Sequence, residues 1–360
     1  VSEHQRSSRW LYRLWVGANA VLLIGAAALI MRPWDSGSES VVQVRPPVPT
    51  EAEHPGIHPA LPSVPDREEL LATPGIRFGL SSPDVPFAPS RLRKLTAAAG
   101  RAPSTVLVFS KWNEEFRPEL TALAYEQGMF PIISWEPWAG DPDRPDQPDY
   151  ALSRIVDGSF DDYITRFATA LRDQRWPVGI RFAHEMNGHW YPWSERRSGN
   201  RRGDYVKAWR HVHRIFQQVG ATNAIWIWSP NIIRAVPNVS LKALYPGDDH
   251  VDWVGVVGYA VAEERAAEVF DPTLTLLRDI TDKPILITET GAQPSYHKAD
   301  WIRDFFAWLP DQPDIVGFIW FEYDDHEGGN ADWRFTATEA TTEAFRDGLA
   351  TLTLAPPPGR

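Results

Sequence analysis

Apolar and β-branched residues gather into eight short runs: 76–79, 105–109, 130–135, 178–182, 224–229, 254–257, 285–288 and 316–321. Each has the length of a buried strand. The intervals between them carry a different period. In 205–219, Val206, Trp209, Val212, Ile215, Phe216 and Val219 recur three or four apart, while Lys207, Arg210, Arg214 and Gln217 lie mainly elsewhere, which predicts an amphipathic helix stopping at Gly220. Residues 160–171 (Phe160, Ile164, Phe167, Ala168, Leu171) and 301–309 (Ile302, Phe305, Phe306, Leu309) repeat this pattern. Strands alternating with helices predict an α/β chain, a (β/α)8 barrel of the TIM type, over residues 67–348. A doubly wound open sheet is the main alternative, but no glycine-rich nucleotide loop follows the first run.

The ends differ from this middle. Leu14 to Met31 form an apolar stretch of 18 residues flanked by Arg6, Arg9, Arg13 and Arg32. At helical rise it spans about 27 Å, close to a hydrocarbon core of about 30 Å. Residues 1–32 are therefore expected to be a short cytoplasmic tail and a transmembrane or signal helix, with the membrane as partner and the remainder extracytoplasmic. Ala26-Ala-Ala28 offers the alternative of cleavage near Ala28 and secretion. Residues 33–66, rich in Pro, are expected to form an extended linker, and residues 349–360 a disordered tail.

With 43% apolar and 12% aromatic residues, the chain can bury a substantial core. A formal net charge of -11 argues against nucleic acid as a partner. The absence of cysteine excludes disulfides and thiolate metal sites. Seventeen Trp residues, many beside polar residues, fit either a large core or a sugar-binding cleft, where indoles cover the apolar faces of pyranose rings.

The chemistry concentrates at two strand ends. Glu185 follows the fourth run within Arg181-Phe-Ala-His184-Glu185-Met-Asn187-Gly188-His189-Trp190-Tyr-Pro-Trp193, and Glu289 follows the seventh within Ile285-Leu-Ile-Thr-Glu289-Thr-Gly291. Barrel strand ends bring such residues to one mouth. Two carboxyl groups there could serve hydrolysis of a glycosidic bond, one as proton donor and the other as nucleophile or base. The bland reading of Glu185 is an ion pair with Arg181 or an imidazole, and of Glu289 a turn carboxylate. His184 could equally be a packing residue, and Asn187 could fix its own loop. Trp135, Trp138, Trp190, Trp193, Trp228 and Trp320 are candidate sugar platforms, Trp320 foremost, whereas Trp209 and Trp308 lie on apolar helix faces. His184 and His189 are five apart, so a zinc pair on one helical face is not expected; neither is a catalytic metal or cofactor. The acidic stretch 324–332 is expected to shape a substrate subsite.

Residues 73 to about 345 resemble glycoside hydrolase family 26. The resemblance rests on His184-Glu185-Met186-Asn187-Gly188 with Trp190 and Trp193, on Ile287-Thr288-Glu289-Thr290-Gly291, and on Trp228-Ser229-Pro230-Asn231 and Tyr245-Pro246-Gly247-Asp248. It implies a retaining glycosidase of (β/α)8 fold with Glu185 as acid/base and Glu289 as nucleophile. It also implies His184 on the floor of the mouth and Tyr259 supporting the nucleophile; Asn187, His189, Trp190 and Asn231 are further candidates for binding or supporting substrate. Val256-Val257-Gly258-Tyr259 departs from the many relatives that carry an acidic residue near the tyrosine.

That family spans β-mannanases, β-1,3-1,4-glucanases and β-1,3-xylanases. The segments Phe318-Ile-Trp320-Phe321-Glu322 and Asp332-Trp333-Arg334 resemble its glucan-cleaving members as much as its mannanases. The expectation is endo-hydrolysis of a β-linked polysaccharide, β-1,4-mannan first and mixed-linkage glucan or β-1,3-xylan as alternatives. A membrane anchor would further suggest association with polysaccharide synthesis or export machinery. A noncatalytic polysaccharide-binding or assembly protein is the competing class.

Overall fold

A computed structural model describes residues 64–140 and 144–358. All eight expected runs are strands: β1 (Arg77–Ser81), β2 (Thr105–Lys111), β3 (Phe130–Glu136), β4 (Val178–Phe182), β5 (Ala224–Trp228), β6 (Trp253–Ala260), β7 (Ile285–Ala292) and β8 (Ile315–Phe321). They pair in parallel in chain order, and β1 joins β8 to close the barrel. Helices cover the outside. The three expected amphipathic stretches become helices at Asp161–Gln174, Asp204–Val219 and Lys298–Trp308, the second ending at Gly220, whose φ of 75° only glycine adopts without strain.

Two apolar layers hold this arrangement. Leu107, Ile132, Ile225, Ile227, Leu286 and Ile319 form one cluster with Leu70, whereas Phe167, Phe216, Phe270, Phe305 and Phe345 belong to a larger cluster that includes the helix faces. Leu70 is carried by α1 (Arg67–Ala72), whose N-cap Asp66 exchanges bonds with Glu69 in a capping box. Arg67 ties this helix to the barrel through Asp252 at 2.5 Å and the Ala224 carbonyl at 3.3 Å.

Two expectations about the ends change. The N-terminal stretch 14–31 lies outside the described residues, and among the described residues no helix is long and apolar enough to cross a membrane. The longest of them, Asp204–Val219, has 16 residues and is charged along one face. The described fold is thus corrected to the barrel alone, with no membrane-spanning helix among the described residues. The membrane partner, the anchored extracytoplasmic location and the inferred link to synthesis or export machinery are withdrawn with it. Residues 33–63 of the expected linker likewise lie outside the described residues. The expected disordered tail is corrected as well: Leu354 bridges to Ile76, and Ala355 donates its N–H to the Ile76 carbonyl at 2.9 Å. Gly75 permits this close approach, because a Cβ there would lie 2.7 Å from the Ala355 nitrogen.

Candidate active site

The strands extend past their apolar runs into a polar layer at the mouth. β7 continues through Thr288, Glu289 and Thr290 to Ala292, and β6 through Gly258 and Tyr259 to Ala260. Glu289 therefore sits inside a strand, paired with Val257 where the β6–β7 register shifts. Bulges of this kind re-aim side chains beside sites. The Tyr259 hydroxyl donates to Oε2 of Glu289 at 2.7 Å. Arg181, fully buried in β4, places Nη1 2.6 Å from Oε1 of the same carboxylate. Its guanidinium is oriented in turn by Ser134 Oγ at 2.6 Å and Ser229 Oγ at 3.0 Å. Arg181 is thus the ionic partner of Glu289, not of Glu185.

Glu185 occupies a sharp turn just beyond β4. Ala183 and Glu185 have φ of 45° and 51°, a left-handed backbone that costs a non-glycine residue on the order of 1 kcal/mol or more. Neighbouring strands fix the turn: Ala183 N–H donates to the Trp135 carbonyl at 3.0 Å, and Glu185 N–H to the Ser229 carbonyl at 2.7 Å. The Glu185 carboxyl accepts from Trp190 Nε1 at 2.7 Å on one oxygen and from Asn231 Nδ2 on the other. Burial, reinforced by the nearby charge of Glu289, pushes its pKa up to about 7. The two carboxyl groups therefore share a mouth but have unlike surroundings, the pattern that separates an acid from a nucleophile.

Around this pair, the expected residues divide. Asn187 donates to the Asn231 carbonyl at 2.8 Å and accepts the Asn231 N–H at 2.9 Å, so it braces the loop that supplies a Glu185 donor. Trp190 folds over Gly188, where a Cβ would lie 2.5 Å from the indole. His189 is half-buried beside Trp190, at 5.4 Å between ring centroids. His184 is buried against Tyr191 and Trp193, and burial together with Arg181 holds its pKa well below the usual imidazole value. It is therefore a neutral ring. Burial and Glu289 likewise keep Tyr259 a phenol, with its pKa far above the usual value.

Four expected sugar platforms are corrected. Trp135, Trp193, Trp228 and Trp320 each have 0% exposure, so none presents a face to a ligand. Strand alternation explains three of them. Ser134 and Ser229 point inward to Arg181, which turns Trp135 and Trp228 outward; Phe321 meets the Tyr259 ring, which turns Trp320 outward. Trp135 stacks on Phe167 at 4.3 Å, and Trp320 meets Phe345 at 5.1 Å. Trp193 instead donates Nε1 to the His184 carbonyl at 2.7 Å, bracing the acid-bearing turn. Trp138, also nearly buried, donates to Glu136 at 3.0 Å. In the late loop, Arg334 binds Asp324 and Asp332 at 2.8 Å each, and Trp333 packs on Tyr259 with centroids 4.7 Å apart.

Sequence reasoning missed Arg181 as the clamp on Glu289, Glu136 as a third buried acid, and Trp333 behind Tyr259. A guanidinium between Ile180 and Phe182 in an apolar strand was a usable signal for the first.

The family model of Glycosyl hydrolase family 26 matches residues 128–332, more than half of the chain, and spans both Glu185 and Glu289. Among curated proteins, Endoglucanase H of Acetivibrio thermocellus is 30% identical over 275 residues, covering 72% of this chain and 29% of that protein. A Mannan endo-1,4-beta-mannosidase of Bacillus subtilis is 28% identical over 174 residues, covering 47% of this chain and 43% of its own length. The chain thus spans less than half the length of these relatives. Among solved structures, a GH26 beta-mannanase from Bacteroides ovatus superposes with a TM-score of 0.60 at 18% identity, covering 80% of this chain and 92% of that one. A Cellulomonas fimi endo-beta-1,4-mannanase double mutant gives a TM-score of 0.60 at 19% identity, with coverages of 77% and 71%. These structural likenesses concern the fold. The family match over the segment bearing both acids, with the 30% identity to Endoglucanase H over 72% of this chain, identifies the chain as a member of glycosyl hydrolase family 26.

Proposed function

We propose that this protein is a retaining, endo-acting glycoside hydrolase that cleaves a β-linked polysaccharide, with Glu185 as acid/base and Glu289 as nucleophile. The observation that carries this reading is the contrast between the two carboxyl groups. Glu289 is clamped by Arg181 and Tyr259, while Glu185 is buried and pushed up to about 7. In the first step Glu289 bonds to the anomeric carbon as Glu185 passes its proton to the departing glycosidic oxygen. The resulting ester removes the negative charge of Glu289, and with it the repulsion that favours the protonated form of Glu185. In the second step Glu185 takes a proton from water, the water oxygen bonds to the anomeric carbon, and Glu289 leaves as a carboxylate. Neutral His184 and phenolic Tyr259 supply hydrogen-bonding groups without adding charge.

The substrate reading is β-1,4-mannan, supported by the mannanase relatives. A β-glucan is the second reading, because the likeness to Endoglucanase H extends over 72% of this chain. Assay of the purified chain on mannan, glucomannan, barley glucan and β-1,3-xylan, with product sizes and linkages determined, separates these choices. Incubation with a 2-fluoro glycosyl donor should add one glycosyl mass to the peptide containing Glu289. Absence of both turnover and labelling, with polymer binding retained, would favour the noncatalytic polysaccharide-binding alternative.

A further inference from the structure

A third acid enters the mouth. Glu136 ends β3, two residues beyond Ser134, and alternation gives the two side chains the same inward direction. It is 4% exposed and forms no ion pair among the described residues. Oε2 accepts from Trp138 Nε1 at 3.0 Å, whereas Oε1 takes no donor from the described residues and is not a sealed, unpartnered atom. The nearby Lys111 ammonium lies over the Trp138 ring, 5.5 Å from its centroid. Arg181 and Glu289 act on Glu136 through their charges, and burial is the largest cause of its pKa rising to about 7.

A carboxyl group with one oxygen held by an indole and the other reachable and free of protein donors is placed to accept from a ligand hydroxyl. Sugar hydroxyls provide such donors, and a carboxyl oxygen accepting from them discriminates between rings that differ in one hydroxyl. Ser134, two residues before Glu136 in β3, binds the same Arg181 Nη1 that pairs with Glu289, so both acids rise from one side of the barrel mouth. We propose that Glu136 accepts a ring hydroxyl of the sugar whose anomeric carbon meets Glu289, with Trp138 holding the carboxyl in register, and thereby helps select the polymer cleaved. This rests on the hydrolase reading above.

The test uses aryl β-manno- and β-cello-oligosaccharides alongside counterparts lacking the 2- or 3-hydroxyl of the ring next to the aryl group. On the native chain, loss of the recognised hydroxyl should lower kcat/KM at least about tenfold. In Glu136→Gln the parent substrate should lose a similar factor, and the additional loss on removing that hydroxyl should shrink to within about threefold. Trp138→Phe, which removes the bond holding Oε2, should weaken the same coupling and serves if the first variant does not fold. Equal losses on parent and deoxy substrates in both folded variants, or no loss in either, would overturn the assignment. Labelling of native Glu289 by the 2-fluoro donor separates the two failures: without it the hydrolase reading falls, and with it only the role of Glu136 does.

Discussion

Arg181 Nη1 lies 2.6 Å from Glu289 Oε1 inside the barrel, and the arginine side chain is inaccessible to solvent. A guanidinium so placed offers a fixed, directional positive group that no flexible ammonium reproduces. Replacing Arg181 with Ala leaves a buried carboxylate without its partner, which should destabilise the fold by about 3–5 kcal/mol in denaturant unfolding. Arg181→Lys should remain folded yet lose more than about tenfold in kcat, since the ammonium cannot serve Glu289, Ser134 and Ser229 together. Wild-type turnover in that variant would refute the clamp.

Trp190→Phe removes the indole donor to Glu185. That bond favours the carboxylate, so its loss should raise the pKa of Glu185 further above about 7. The acid would then stay protonated to higher pH. The alkaline limb of kcat/KM should shift upward, and a pH–rate series on one soluble substrate would detect it. A downward shift would contradict the assigned role.

Tyr259→Phe should leave the melting temperature nearly unchanged, because the ring contacts with Trp333 and Phe321 persist without the hydroxyl. Its cost should appear in kcat, falling about 10- to 100-fold as the carboxylate loses a fixed donor. Unchanged kcat would sink the proposed support of the nucleophile.

Trp320→Ala should lose about 3–5 kcal/mol of stability through the cavity left beside Phe345 and Trp301. Below its melting temperature, the folded variant should retain affinity for oligosaccharides within about threefold, as expected of a residue with no face toward the mouth. Isothermal titration beside thermal unfolding distinguishes this from a platform, whose loss would reduce affinity far more.

Glu136, Glu185 and Glu322 are buried, and each is pushed up to about 7 from an ordinary value of 4.5. Between those values the folded state holds protons that the unfolded state releases. The stabilising effect is complete below about 4.5 and is lost as pH rises through about 7. Chemical denaturation at pH 5 and pH 8 should therefore show lower stability at the higher pH, and Glu322→Gln should reduce the difference. A stability that rises across this interval in both proteins would contradict the burial argument.

The barrel was legible because eight buried strands and their amphipathic helices each carry a distinct period, and Glu185 and Glu289 stood out where that period stops. The inward or outward direction of Trp135, Trp228 and Trp320 was not legible. In β3, β5 and β8 both faces are buried, so apolar residues run on without the alternation that would betray a register. Arg181 was visible as an anomaly, but its partner depends on contacts spanning 108 positions, from β4 to β7. The ordered chain around Leu354 was hidden for a similar reason: its pairing to Ile76 crosses nearly the whole domain.

The left-handed backbone at Glu185 sets activity against robustness. Glycine would occupy that φ of 51° without penalty, so a variant selected only for heat resistance could gain from losing the very side chain on which turnover is proposed to depend. Improvement of this barrel by thermal selection therefore has to be scored on catalysis in the same round, or the turn beyond β4 becomes the place where the lineage drifts toward a durable, silent scaffold.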